Sequence, residues 1–360
     1  MNKTPLVTVL MPCFNAMPFL PEALESIIHQ TYSNLEILCI NDGSTDNTGD
    51  VLEDYAKKDA RIKVVHNETN LKLIRSLNKG IELAQGEYIA RMDADDITDL
   101  RRLEIQINYF LENPDTDILS TGSYNFSEEG FVFSRKTPRA HYPETVFFAS
   151  FFYVPIGHPE LLIRTNVLRD NPFLYEDYAL HTEDYELWSR LARLGYKLKN
   201  IDSPLHFFRN NSQSVSRKYT TIQDENFIIC ANRHHFEYTN FEYPIEITLI
   251  LANRINKSVT LKQFKTALNE YKKFKSYFIE RESINDETVL KEIDIIYFTH
   301  LFDISFQIVK TCRPKLKCYG IWMIIKHSKM FFYRRAINYF FNKIHFLNKK
   351  RVSTFKTVYK

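Results

Sequence analysis

No apolar run in this 360-residue sequence approaches the roughly 18–20 residues needed to span a bilayer. The longest, Ile247–Ala252 and Ile321–Ile325, are far shorter. The stretch from Met1 to Pro5 leads straight into an apolar strand, with neither a charged leader nor a cleavage site, so a cytoplasmic protein is expected. The five cysteines, Cys13, Cys39, Cys230, Cys312 and Cys318, form no CxxC pair and no Cys/His array. That excludes a disulfide framework or a zinc site read from spacing, and Cys13 and Cys39 read as small buried hydrophobes. Glycine is sparse, and none falls within Met11–Met17, where a Gly-rich phosphate loop would follow the first strand. Acidic residues are missing altogether after Asp303, although fourteen Lys and Arg follow it. The small net charge of +3 therefore hides an acidic body and a basic tail.

What is present is a βαβ rhythm. Leu6–Met11, Leu35–Ile40, Ile62–His66 and Tyr88–Met92 read as strands, separated by helices at about Phe19–Gln30, Asn47–Lys57 and Leu71–Ala84. A mostly parallel sheet with helices on both faces follows from that order. Arg101–Leu111 and Asp184–Leu194 read as further helices, with Leu103, Ile107, Phe110 and Leu111 on the inner face of the first and Leu187, Trp188, Leu191 and Leu194 on that of the second. Asp117–Thr121, Phe131–Ser134, Leu161–Arg164 and Leu205–Phe208 read as strands, and the aromatic stretch Tyr142–Phe152 fits either element. Past about Thr220 the chain turns to long helical, aromatic segments, which suggests residues 1–220 as one domain and 221–360 as a second, helical region.

Two polar clusters sit at strand ends, the edge where open parallel sheets bind ligands. In Arg91-Met92-Asp93-Ala94-Asp95-Asp96 three carboxylates repel one another, which is costly unless a cation such as Mg²⁺ or Mn²⁺ is bound. A solvated acidic turn capping the next helix is the competing account, and the position on the ligand edge favours the metal. In Asn41-Asp42-Gly43-Ser44-Thr45-Asp46, Asp42 suits a base N–H, whereas Ser44 and Thr45 read as turn residues.

The runs VTVLMPCFN from Val7, QTYSNLEILCINDGSTDNT from Gln30 and AQGEYIARMDADD from Ala84 together resemble the inverting family 2 glycosyltransferases of the GT-A fold. The likeness covers about residues 5–217 and is greatest to members that build bacterial surface polysaccharides. It implies an α/β GT-A sheet and transfer of a hexose or N-acetylhexosamine from a nucleotide sugar, UDP-linked, onto a glycan or lipid-linked glycan. By this resemblance Pro12, Phe14, Asn15, Asp42, Arg75, Asn78 and Asp93 bind the donor. Asp93 and Asp95 form the DxD pair that holds Mn²⁺ or Mg²⁺, with Asp95 the direct ligand. Asp184 is the general base with Glu183 beside it, and His158 lines the acceptor side. Read as residues alone, Glu183 and Asp184 suit a helix N-terminus equally well. Asn211 stands where the family usually has His, and Lys72 where glycine is frequent. The absence of a Gln-x-x-Arg-Trp run argues against a processive synthase. A nucleotidyltransferase, or a non-catalytic nucleotide- or glycan-binding module on the same fold, are the alternatives.

In the tail, Tyr333, Ile337, Phe340, Phe341 and Ile344 recur at helical spacing opposite Arg335, Asn338 and Asn342. This pattern suits the inner face of an anionic cytoplasmic membrane, or packing on the catalytic domain or on a second copy in a homo-oligomer. No motif supports nucleic acid.

Overall fold

The computed structural model describes residues 4–128, 130–170, 174–210, 219–255, 258–312 and 314–326. Asn211, Ser214 and Ser216 lie outside the described residues, as does the amphipathic pattern from Met330 onward. Among the described residues no helix is long and apolar enough to cross a membrane.

The four β-branched runs form parallel strands β1 (Val7–Cys13), β2 (Leu35–Asn41), β3 (Ile62–His66) and β4 (Tyr88–Arg91). Val7 pairs with Leu35 on one side and Tyr88 on the other, and Ile37 pairs with Ile62. Strand side chains alternate between the faces, and here both faces are covered. Val7, Val9, Met11, Ile37 and Cys39 enter one apolar cluster, while Leu10, Leu38 and Ile40 enter the other. Helices α1 (Leu20–Ile28), α2 (Thr48–Ala56) and α3 (Lys72–Leu83) connect these strands.

The sheet continues through β5 (Ile97–Thr98), β6 (Ile118–Ser127), β7 (Val132–Lys136), β8 (Leu162–Arg164) and β9 (Leu198–Asn210). The order is β3-β2-β1-β4-β8-β6-β9-β5, with β7 on β6. β8 runs antiparallel to both β4 and β6, so the sheet is mixed on this side. β9 begins seven residues before the expected Leu205. The Asp202-Ser203-Pro204 sequence resembles a turn, but the strand carries Pro204 opposite Gly122, where the register with β6 shifts. A register shift is where a sheet tolerates a residue without an N–H.

Helices α4 (Arg102–Glu112), α5 (Pro143–Ser150), α6 (Thr165–Arg169) and α7 (Glu183–Arg193) complete the first half. Leu103, Ile107 and Phe110 are buried as expected, as are Leu187, Trp188 and Leu191, but Leu111 and Leu194 are exposed. Both lie at the end of their helix, beyond the reach of the sheet. The ambiguous aromatic stretch resolves as α5, whose Phe148 is buried together with Phe151 and Phe152 just beyond it. Such residues buried on every side erase the periodicity that identifies an amphipathic helix.

The covering comes from α8 (Thr220–Thr239), α9 (Ile245–Leu251), α10 (Leu261–Arg281), α11 (Glu287–Thr311) and α12 (Pro314–Lys326). Phe151 stacks on His234 of α8 with centroids 4.0 Å apart, and lies 4.7 Å from Phe274 of α10. One apolar cluster runs from Leu10 through Phe148 to Leu316, so α5 belongs equally to the sheet and to the C-terminal helices.

A polar clamp reinforces this contact. His141 lies 3.1 Å from Glu292 of α11 and 3.0 Å from Asp202 of β9. Glu292 first and Asp202 second hold the imidazole pKa up to about 9, against the opposing effect of burial. The folded state thus binds this proton more tightly than the unfolded chain. Its stabilisation is complete below the ordinary histidine value and is lost as pH rises through about 9. Denaturant titrations at pH 6 and pH 9.5 should differ by on the order of 2 kcal/mol from this source, after allowance for the exposure of Asp202. His141→Gln should abolish that difference, and an unchanged pH dependence in the variant refutes the clamp.

Candidate active site

The turns leaving β1, β2 and β4 open onto one cleft of about 1850 Å³. Pro12, Phe14, Asn15, Asp42, Asp93, Asp95, His158, Glu183 and Asp184 all line it. Arg75 and Asn78 do not. Arg75 pairs with Asp177 at 3.0 Å, and Asn78 exchanges two hydrogen bonds with the backbone of Tyr175. Both residues fasten α3 to the segment ahead of α7.

The first two turns brace one another. Asn15 has a left-handed backbone (φ 48°), its N–H donates to Ser44 Oγ at 3.0 Å, and its Oδ1 accepts from Thr45 N at 2.8 Å. Asp42 is 4% exposed, and its Oδ1 accepts from Asn67 Nδ2 and Leu71 N, each at 2.8 Å. Gly43 (φ 67°) approaches the Thr69 backbone so closely that a Cβ would stand 2.7 Å from Thr69 C. Only glycine fits there. Lys72, where the resemblance leads one to expect glycine, does adopt a positive φ of 73°.

The acidic turn after β4 brings carboxylate oxygens of Asp93, Asp95 and Asp96 within 4.8 Å of one another. Asp96 is spoken for: His206 Nε2 lies 2.8 Å from its Oδ2, and Arg209 N donates to its Oδ1 at 2.7 Å. Burial lowers His206 to about 3, so its imidazole is neutral. Asp93 pairs with the buried Arg91 guanidinium. Asp95 is pushed up to about 7 by burial and then by repulsion from Asp96 and Asp93. Oxygen donors so crowded fit a hard divalent cation, which would remove that repulsion.

Across the cleft, Glu183 and Asp184 occupy the first turn of α7. Burial and then the charge of Asp184 raise Glu183 to about 7, and burial raises Asp184 as well. Arg91 counters the rise at Asp95, Asp96, Glu183 and Asp184 alike. It is the charge common to both acidic groups. His158 is buried, with Nε2 2.8 Å from the Tyr175 hydroxyl and its ring edge-on to Trp188, and burial keeps it neutral.

Sequence reasoning assigned no role to Arg91, Arg102, Gln106, His206 or Arg209. Arg102 Nη2 donates to the carbonyls of Arg91 and Leu161, both at 3.0 Å, and Gln106 Nε2 to those of Leu119 and Glu160. This i,i+4 pair on the buried side of α4 ties together the ends of β4, β6 and β8. Arg209 lies over the Phe19 and Phe126 rings and donates to Asp95 O at 2.6 Å. For Arg91 a signal did exist, since clustered carboxylates at a strand end need a nearby cation.

Comparison with known proteins agrees with this geometry. A family model described as Glycosyl transferase family 2 matches residues 8–168. An uncharacterized glycosyltransferase of Haemophilus influenzae is 34% identical over 331 residues, covering 88% of this chain and 99% of that protein. A putative teichuronic acid biosynthesis glycosyltransferase of Bacillus subtilis, TuaG, is 38% identical over 111 residues, 31% of this chain and 44% of that one. Among solved structures, Staphylococcus aureus TarS 1–349 in complex with UDP-GlcNAc superimposes with a TM-score of 0.54 at 18% identity, covering 92% of each chain. The Pyrobaculum calidifontis mannosyltransferase PcManGT with GDP-Man and Mn²⁺ gives 0.51 at 16% identity, covering 91% of this chain and 88% of that one. The fold is GT-A-like, with helices added at the C-terminal end.

Proposed function

Because this chain belongs to glycosyl transferase family 2 and is a glycosyltransferase, we propose that it catalyses inverting transfer of a hexose or N-acetylhexosamine from a UDP-sugar to a glycan hydroxyl in surface-polysaccharide biosynthesis. The observation that carries this reading is the single cleft lined by Asp93 and Asp95 after β4 and by Glu183 and Asp184 at the start of α7. The similarity to TuaG, named for teichuronic acid biosynthesis, supports the polysaccharide assignment.

Pro12, Phe14, Asn15 and Asp42 form the nucleotide end, held rigid by the bracing of the first two turns. Asp93 and Asp95 would hold the divalent ion, since Asp96 already spends both oxygens on His206 and Arg209. When bound, the ion offsets negative charge on the departing diphosphate. Asp184 takes the proton from the attacking acceptor hydroxyl, and a carboxylate raised toward neutrality is a better base for that task. Glu183 keeps a second carboxylate beside it, and Arg91 keeps both ionised sites tolerable in a buried setting.

Calorimetry with a panel of nucleotide sugars, each with and without Mn²⁺, tests the reading. We expect one UDP-sugar to bind in a metal-dependent manner and Asp95→Ala to weaken that binding at least about tenfold. A folded protein that binds no nucleotide sugar under either condition would overturn it.

A further inference from the structure

Glu160 lies two residues ahead of β8, and its side chain has no part in the chemistry described so far. It is 4% exposed, and its Oε2 has no hydrogen-bond partner. Among the described residues no cation pairs with it. Arg102 is near enough to feel its charge, but Arg102 Nε and Nη2 are directed to Gln106, Arg91 O and Leu161 O. The backbone of Glu160 is structural, accepting from Gln106 Nε2 at 2.9 Å, and any residue there would offer the same carbonyl. The carboxylate is a different matter. A buried carboxylate without a partner costs stability and returns none.

The surroundings show where this carboxylate is directed. It rests on Gly157, where a Cβ would stand 1.9 Å from Oε2 and 2.7 Å from Oε1, so a larger residue there would displace the carboxylate from this position. Gly157 and Glu160 both line the cleft, together with Thr121 and Asn200. The charge of Glu160 is also felt by Asp96 and His206, so it lies near the acidic turn. A carboxylate can accept two hydrogen bonds side by side, a geometry suited to neighbouring hydroxyls of a pyranose or to a hydroxyl and an amide N–H. We propose that Glu160 is a specificity-determining residue that accepts hydrogen bonds from a sugar ring in the cleft. This rests on the nucleotide-sugar reading of the site. The ring belongs to the donor or to the acceptor, and the two differ in what they predict.

The test uses Glu160→Gln and Glu160→Met on the full chain with Mn²⁺ present. Calorimetry compares UDP with UDP-GlcNAc, UDP-glucose and UDP-galactose. Saturation-transfer NMR with methyl glycosides of glucose, galactose, mannose and N-acetylglucosamine, in the presence of UDP, probes the acceptor end. UDP affinity should not change. Either the extra affinity contributed by the donor sugar or the glycoside signal should fall at least about tenfold, the loss expected when a buried polar contact is removed. The Tm should hold or rise in Glu160→Met, since an unsatisfied buried group is gone. Sugar binding unchanged in both arms would overturn the assignment, as would a parallel loss of UDP affinity with a lowered Tm, which marks a structural role. A wild-type protein that binds UDP but no sugar also removes the Glu160 assignment while leaving the nucleotide end intact. No nucleotide binding at all removes both.

Discussion

Asp184→Asn should lower turnover by about 10²–10⁴-fold while leaving the affinity for the nucleotide sugar within about twofold. The asparagine keeps the size of the side chain and can still accept from Tyr185 N, as Asp184 Oδ1 does at 2.7 Å, so the first turn of α7 should stay in place. What it loses is the ability to take a proton. The pH profile gives a second reading of the same group. Burial raises Asp184, and Glu183 beside it is raised to about 7, so the pair gains a proton as pH falls through neutrality. A base works only when ionised. Turnover by the wild type should therefore decline toward acid pH as Asp184 gains its proton, and the residual activity of Asp184→Asn should lose that limb. Equal turnover by the variant would remove Asp184 from the chemistry.

Arg91→Met should cost about 3–5 kcal/mol of stability, the penalty typical of breaking a buried ion pair from one side. Methionine approximates the aliphatic part of arginine, so packing around β4 is largely kept. The loss is electrostatic: Asp93 is left without its partner, and the other carboxylates lose the nearby cation that offset their burial. A double-mutant cycle isolates this. Adding Asp93→Asn should recover part of the loss, because the charge left unpaired is then gone. If the two losses simply add in urea unfolding, Arg91 stabilises by packing alone.

The assignment of the C-terminal helices depends on the same kind of argument. Their aromatic richness was plain in the sequence, yet composition could not say what the rings touch. Phe147 meets Tyr238 and Phe278, and Phe152 meets Tyr271, all within ring contact. These helices cover α5 and reach the cleft, where Thr299, Phe302 and Asp303 of α11 form part of the lining. A helical region that looked separable in the sequence therefore helps to wall the cleft.

The sequence by itself determined the parallel half of the sheet, because strands buried on both faces must be continuously apolar and their connecting helices must carry one apolar stripe. It also located the acidic turn, since three carboxylates at a strand end are legible without coordinates. Only the tertiary structure could distribute roles among them. Asp96 is consumed by His206 and Arg209, which lie more than a hundred residues along the chain on β9. Arg75 and Asn78 sit on the expected helix but turn to the segment before α7. The buried Arg102–Gln106 brace and the unpartnered Glu160 were equally out of reach. Local pattern reports which face of an element is apolar. It does not report which distant backbone or carboxylate a buried polar side chain will meet, and that meeting decides whether the group is structural or free to bind.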